Sequence, residues 1–277
     1  MSSNPRLRSQ SKTWPDMPHR RIQDSRAVVT GASSGIGHAL ALELARQHAR
    51  VLIVARREDR LLRLAEQISA DGGQVEVVVG DITDAATRQE VLETVRSRFG
   101  GLDILVNNAG IGALGRFEDA DPQRLRRIME VNFFALVEMT RLALPLLKEG
   151  AKPITVNIGS ILGHRGTPLN SEYCASKFAV EGFSQALRAE LARYPIDVLV
   201  VSPGTTTTEF FDNVIERTGE PSWPEHAPVT AAQVARRTVR AIRSGRHEII
   251  PYGWGKVLCW LNRLSPRLMD YVMARYA

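Results

Sequence analysis

The sequence predicts an α/β fold, one domain in which short buried strands alternate with amphipathic helices. Three observations predict it. Short runs rich in Val, Ile and Leu recur at 27–29, 51–55, 75–79, 103–106, 154–158 and 198–201, and the segments between them carry apolar residues at helical spacing. The first run passes directly into Thr30-Gly31-Ala32-Ser33-Ser34-Gly35-Ile36-Gly37 and then into the helical pattern Ala39, Leu40, Leu42, Leu44. A chain of 277 residues with 44% hydrophobic content is long enough and apolar enough to bury one sizeable core.

Composition excludes several classes. The net charge of +6 comes mostly from arginines on helix-like segments, such as Arg124, Arg126, Arg127, Arg236, Arg237, Arg240 and Arg243. These read as solvated helix faces, and no nucleic-acid-binding motif accompanies them. Cys174 and Cys259 have neither metal spacing nor a disulfide framework, and the histidines show no HExxH-type pairing. No metal is expected, and a reducing, cytoplasmic setting is the simplest inference. Residues 1–25 are polar, basic and proline-bearing, without a signal-peptide run, and read as a flexible tail.

Each element in turn adds a candidate residue. The glycine-rich turn at 30–37 joins a strand to a helix N-terminus, which makes a phosphate cradle of backbone amides. After the second strand, where NAD enzymes place an acid for the ribose 2′-hydroxyl, the chain has Arg56-Arg57. Two guanidinium groups there suit a 2′-phosphate. The third strand ends at Gly80-Asp81-Ile82, where Asp81 can accept from an adenine amino group or act as a helix N-cap. The fourth runs into Asn107-Asn108-Ala109-Gly110, a ligand loop or a plain turn. A helix over 121–147 carries Asn132 in an apolar stretch. A buried amide must find partners, so Asn132 either bonds neighbouring backbone or opens the helix locally to hold a water. The fifth strand ends at Gly159-Ser160, the sixth at Ser202-Pro203-Gly204-Thr205-Thr206-Thr207-Thr208, and a helix over 230–244 precedes a short strand at 247–250.

The helix over 171–194 begins with Tyr173-Cys174-Ala175-Ser176-Lys177. Positions i and i+4 share a helix face, so Lys177 leans toward Tyr173. A phenol ordinarily titrates near 10, and an adjacent ammonium favours its phenolate. The pair is a candidate acid/base.

Taken together and in this order, TGxxxGxG at 30–37, NNAG at 107–110, Asn132, Ser160, YxxxK at 173–177 and PGxxxT at 203–208 resemble the short-chain dehydrogenase/reductase family over roughly 26–251. The resemblance implies a doubly wound Rossmann-type sheet of seven parallel strands with NADP(H), and less readily NAD(H), across the strand ends. It implies that Tyr173 exchanges a proton with the substrate oxygen, that Lys177 lowers the Tyr173 pKa and holds the nicotinamide ribose, that Ser160 bonds the substrate oxygen and that Asn132 holds a relay water. The cofactor set is then Gly31, Ser33, Ser34, Gly35, Ile36 and Gly37 of the turn, Arg56 and Arg57, Asp81 and Ile82, Asn108, Ala109 and Gly110, Tyr173 and Lys177, and Pro203, Gly204, Thr206 and Thr208. The expected reaction is hydride transfer between nicotinamide and a carbonyl or secondary alcohol of a mainly apolar small molecule. A 3-oxoacyl thioester reductase and a non-catalytic nucleotide-sensing relative are the alternatives, the latter disfavoured because Tyr173 and Lys177 are both present. Family members associate through their central helices, so a dimer or tetramer is expected.

Substrate contacts fall to the loops 111–117, 161–170 and 205–228, the last a lid with Phe210, Phe211 and Trp223. Residues 252–277 exceed what a dinucleotide fold needs. Ser265-Pro266 starts a helix with Leu268, Val272 and Tyr276 on one face and Met269 and Met273 beside them, and Val257, Leu258, Leu261 and Leu264 form an earlier apolar stripe. The first expectation is that this helical extension packs on its own domain beside the substrate pocket. Self-association and a peripheral membrane-surface contact are the others.

Overall fold

The computed structural model describes residues 20–210, 214–218 and 227–276. The strands are β1 (Arg26–Thr30), β2 (Arg50–Ala55), β3 (Gln74–Val79), β4 (Ile104–Asn107), β5 (Ile154–Ile158) and β6 (Asp197–Val201). Next come β7 (Thr206–Thr207) and β8 (Val229–Thr230), which pair with each other outside the main sheet, and β9 (Glu248–Ile249), which returns to it. The main sheet has seven parallel strands in the order β3-β2-β1-β4-β5-β6-β9. β1, β4, β5 and β6 are covered on both faces, which is why they read as continuous apolar runs instead of alternating ones.

The helices are α1 (Gly35–Arg46), α2 (Glu58–Ala70), α3 (Ala85–Thr94), α4 (Pro122–Met129), α5 (Ala135–Lys148), α6 (Ser171–Leu191), α7 (Ala231–Arg243), α8 (Gly253–Leu264) and α9 (Pro266–Ala274). One core layer packs Leu40 and Leu44 of α1, Leu61 and Leu64 of α2 and Val234 and Val239 of α7 against Val29, Ile53 and Val156. The other packs Val91 of α3, Met139 and Leu146 of α5 and Leu187 of α6 against Val28, Leu105 and Val198. The sheet is therefore doubly wound. Strand order reverses between β1 and β4, and the loops leaving their carboxyl ends face one crevice, the usual ligand position in such folds.

Three local outcomes differ from the sequence reading. The single helix over 121–147 is broken by a π turn at Glu130–Phe134, between α4 and α5. Residues 20–25 belong to the fold, with Arg20, Ile22 and Ser25 buried. The Arg20 guanidinium bonds the carbonyls of Lys152 and Ile242 at 2.6 and 3.0 Å and pairs with Asp197, because a buried cation must be fully paired. The rest of the predicted tail, 1–19, lies outside the described residues. Thr206–Thr207 also pairs with the segment before α7, a strand pair too short for periodicity to reveal.

Candidate active site

The crevice is built first from backbone. Thr30 ends β1, and its hydroxyl accepts from the amides of Asn108 and Ala109 at 2.9 and 3.0 Å. The Asn108 side-chain amide donates to the carbonyls of Thr30 and Gly31 at 2.9 and 3.1 Å. These four bonds clamp the loop after β4 onto the glycine-rich turn. The clamp needs glycine at two places. A Cβ on Gly31 would lie 2.8 Å from the Ala109 Cα, and one on Gly37 would lie 2.3 Å from Asn108 Nδ2. Gly31 also holds φ of +66°. Ser34 is the N-cap of α1 but makes no side-chain cap bond, and the first turn carries no acid. The helix N-terminus thus keeps amide donors and positive dipole for an anion.

Arginine placement departs from expectation. Arg57 lies across the turn, with Nε and Nη2 3.1 and 2.9 Å from Ser33 Oγ and Nη2 2.6 Å from Ser34 Oγ. Arg56, expected to share the phosphate with Arg57, points instead to Asp81 at 3.5 Å and is largely exposed. Asp81 Oδ1 accepts from the Thr83 amide and hydroxyl at 3.0 and 2.9 Å, an Asx-turn, while the N-cap of α3 is Asp84 and not Asp81. The Ile82 side chain is buried in the core, and its carbonyl accepts from Arg88 at 2.8 Å. Glu209, which sequence reading passed over, forms ion pairs with Arg57 and Arg60, and those two cations hold its carboxyl below the ordinary range.

The chemical groups converge at the other end of the crevice. Lys177 Nζ is buried, donates to the Ile158 carbonyl at 2.9 Å and lies 5.6 Å from the Tyr173 ring centroid. Burial lowers the Lys177 pKa from 10.5 to about 8. Ser160 Oγ accepts from the Leu162 amide at 3.1 Å. The Phe210 ring packs 5.5 Å from the Tyr173 ring. Sheltered in this way, the phenol is pushed above its ordinary pKa by burial, with the Ser160 hydroxyl opposing. Burial thus acts on the phenol against the direction expected from the Lys177 ammonium.

Asn132 is nearly fully buried inside the π turn. Its Oδ1 accepts from the Ile111 amide at 2.8 Å, and Nδ2 donates to the Ile111 carbonyl and Ser176 Oγ, both at 3.0 Å. The helix opens here, and the amide bonds backbone, though of a distant loop and not of its own neighbours. One acceptor position on Oδ1 is left for a water. Gly110 stands over this group, since a Cβ there would lie 3.3 Å from Asn132 Oδ1 and 3.8 Å from Lys177 Nζ.

The segment after β6 closes the rim. The Pro203 carbonyl accepts from the Ile161 amide at 2.9 Å, tying it to the loop that carries Ser160. Thr206 Oγ1 donates to the Gly204 carbonyl at 2.9 Å, and Thr208 reaches over Gly35. Segment 214–218 is stitched to the loop after β4, with Ile215 N on Gly112 O, Leu114 N on Glu216 O and Thr218 N on Leu114 O at 2.8–2.9 Å. Phe211 and Trp223 lie outside the described residues. Behind the site one expectation is overturned: Arg124, expected on a solvated helix face, lies buried in an ion cluster that carries no motif. Arg124, 1% exposed, pairs with Glu172 beside Tyr173 at 2.8 Å and with Glu216 at 2.6 Å. Its only sequence signal is an arginine at an otherwise core-facing helix position.

The short chain dehydrogenase family model matches residues 25–219. The chain belongs to the short-chain dehydrogenase/reductase family. It is 35% identical over 258 residues to the 11-beta-hydroxysteroid dehydrogenase A of Sesamum indicum, covering 88% of this chain and 73% of that protein. A family member from Burkholderia phymatum, solved in complex with NAD, superposes with a TM-score of 0.82 at 23% identity over 90% of this chain and 96% of its own, a likeness of fold. A short chain dehydrogenase from Burkholderia cenocepacia J2315, in complex with NADP, gives a TM-score of 0.74 at 30% identity over 83% and 97%. This short-chain dehydrogenase/reductase is an oxidoreductase that acts on an alcohol or carbonyl with NAD(P). The cradle fits that group: an uncapped helix N-terminus, seryl hydroxyls and a guanidinium stand where a dinucleotide phosphate needs them.

Proposed function

We propose that this short-chain dehydrogenase/reductase uses NADP(H) in preference to NAD(H) and interconverts a ketone and a secondary alcohol on a mainly apolar small molecule. The observation that carries the cofactor choice is Arg57 lying across Ser33 and Ser34, a guanidinium and two hydroxyls that together suit a 2′-phosphate. Gly31, Gly35 and Gly37 let the turn approach the pyrophosphate, and the amides of α1 receive it. The bound nicotinamide supplies or accepts the hydride. The remaining chemistry belongs to the chain. Ser160, whose oxygen already accepts from Leu162, turns its proton to the substrate oxygen. Tyr173, held neutral by its shelter, gives its proton to that oxygen in the reducing direction. Lys177 places positive charge beside the phenol as the proton leaves, and Asn132 fixes the Ile111 backbone against α6 through Ser176.

The apolar character of the substrate is supported by Phe210, whose ring packs beside Tyr173 and against Gly112 of the loop after β4. The steroid named for the Sesamum indicum relative has the same character. Dissociation constants for NADPH and NADH, measured in the wild type and in Arg57→Ala, test the cofactor reading. NADPH is expected to bind more tightly, the substitution to remove that preference, and salt to weaken it. Equal affinities in the wild type sink it. A panel of steroidal, long-chain and short polar ketones with the preferred cofactor tests the substrate reading, and higher kcat/KM on the polar ketones would refute it.

A further inference from the structure

The two C-terminal helices present their apolar faces outward. On α8, Trp254, Val257, Leu261 and Leu264 follow one another at i, i+3, i+7 and i+10, with Trp260 beside them, so they share a face. Trp254 is 58% exposed, Trp260 60% and Leu264 63%. The opposite face of α8, with Gly255 and Cys259, is the one that packs on the domain. On α9, Met269 and Met273 turn inward, while Leu268 and Tyr271 face solvent. This is the reverse of the usual amphipathic arrangement, and monomeric proteins rarely expose so continuous an apolar stripe without use for it. Cations flank the stripe: Lys256 and Arg263 on α8, and Arg267 at the start of α9. Behind Trp260, a cavity of about 930 Å³ between α7 and α8 adds Arg237, Arg240 and Arg246 to its lining.

We propose that α8 and α9 form a docking surface for an anionic lipid bilayer. Exposed tryptophans and leucines rimmed by lysine and arginine match the headgroup boundary, where indole rings settle, aliphatic side chains enter the acyl region and cations meet lipid phosphates. Charge decides against a second copy of the chain as the occupant. A two-fold contact through this face gathers Lys256, Arg263 and Arg267 of both copies around one seam with no added anion, whereas an anionic surface neutralises them. Among the described residues no helix is long and apolar enough to cross a membrane, so the contact lies along the surface.

The test is sedimentation of the full chain with extruded vesicles, either phosphatidylcholine alone or phosphatidylcholine with about one part in four phosphatidylserine. The protein is expected to pellet with the anionic vesicles, at least about tenfold more tightly than with the neutral ones, and less so as salt is raised. Trp260→Ser is expected to lose about tenfold or more in vesicle affinity while its melting temperature stays unchanged, since that side chain is 60% exposed. Lys256→Gln/Arg263→Gln/Arg267→Gln is expected to erase the difference between the two vesicle types. Failure to pellet with anionic vesicles overturns the proposal, as does equal pelleting by the tryptophan variant. Sedimentation velocity supplies the third outcome: a wild-type dimer that the tryptophan substitution dissociates assigns the surface to a second copy and also overturns it.

Discussion

Half-buried Tyr173 and buried Lys177 share one wall of the crevice, and shelter from water moves their proton affinities in opposite directions. A phenol raised above its ordinary value stays protonated across the working range, so the group that titrates near neutrality is the lysine. Its folded pKa is about 8 against an ordinary 10.5. Ketone reduction is therefore expected to hold steady up to about pH 8 and to fall above it, as the ammonium beside Tyr173 is lost. A rate that stays flat to pH 10 would refute that assignment. Stability runs the other way. Between the two values the unfolded chain binds more protons than the folded one, so the burial of Lys177 costs least stability at high pH. Tyr173→Phe keeps the ring under Phe210 and removes only the oxygen, and it is expected to bind cofactor as before while losing nearly all turnover. Retention of more than about a tenth of kcat, a barrier change under about 1.4 kcal/mol, contradicts the role. Glu209 carries the third residue-scale prediction. Its carboxylate sits on Arg57 and Arg60, the cations that a 2′-phosphate is expected to seek. Glu209→Gln is expected to tighten NADPH a few-fold and leave NADH unchanged, read by titration of protein fluorescence. Equal gains for both cofactors would make the effect one of lid stability instead.

At the scale of elements, the site depends on how α4, the π turn and α6 are held together. Arg124 is the bolt: it leaves α4, pairs with Glu172 in the first turn of α6 and reaches Glu216 in the segment after β7. Removing one member of a buried ion cluster leaves uncompensated charge, typically at about 3 kcal/mol or more. Arg124→Met is expected to destabilise by about that amount in urea titration and to lower kcat through the displaced start of α6. An unchanged midpoint would show that the carboxylates find other partners. The same scale shows what the sequence made legible. β1, the glycine turn and α1 could be read because each has its own local signature: a β-branched run, glycines and a helical period. The break at Glu130–Phe134 was half legible, since a buried amide demanded partners, but Ile111 and Ser176 are remote in sequence and only the fold brings them to Asn132. Arg124, Glu172 and Glu216 left no local trace, because an ion cluster drawn from three segments has no spacing to recognise. The roles of Arg56 and Arg57 could not be separated from sequence either, since adjacent residues with the same side chain differ only in the direction the backbone gives them.

For the molecule as a whole, the question is what residues beyond β9 do for the dinucleotide fold. The sequence marked both helices and their apolar residues, and it expected the stripe to pack inward beside the active site. The structure keeps the location and inverts the face. Besides the buried Cys259, Met269 and Met273, ring, small and polar contacts fasten the extension: the Tyr252 ring lies on Gly204, Gly255 sits against Ile161, Asn262 Nδ2 donates to the His164 carbonyl at 3.0 Å, and Arg165 bonds Asn262 and Asp270 at 3.2 and 2.7 Å. Hydrophobic period alone cannot say which side of an amphipathic helix meets the domain, because a lipid surface and a core select the same stripe. These fastenings all land on Gly204 or on the loop 161–165, whose first residue follows Ser160. They make a prediction about the whole enzyme. Ending the chain after Pro251 removes the support beneath that loop while leaving the glycine-rich turn and Arg57 untouched. The truncated protein is expected to melt at lower temperature and to show a raised KM for an apolar ketone, with its NADPH dissociation constant little changed. Arg165→Ala in the full chain, which cuts the tie to Asn262 and Asp270 but keeps every helix, is expected to reproduce a smaller rise in KM. If truncation leaves both melting temperature and KM unaltered, the extension does not support the active site, and its contact with loop 161–165 is only a resting place.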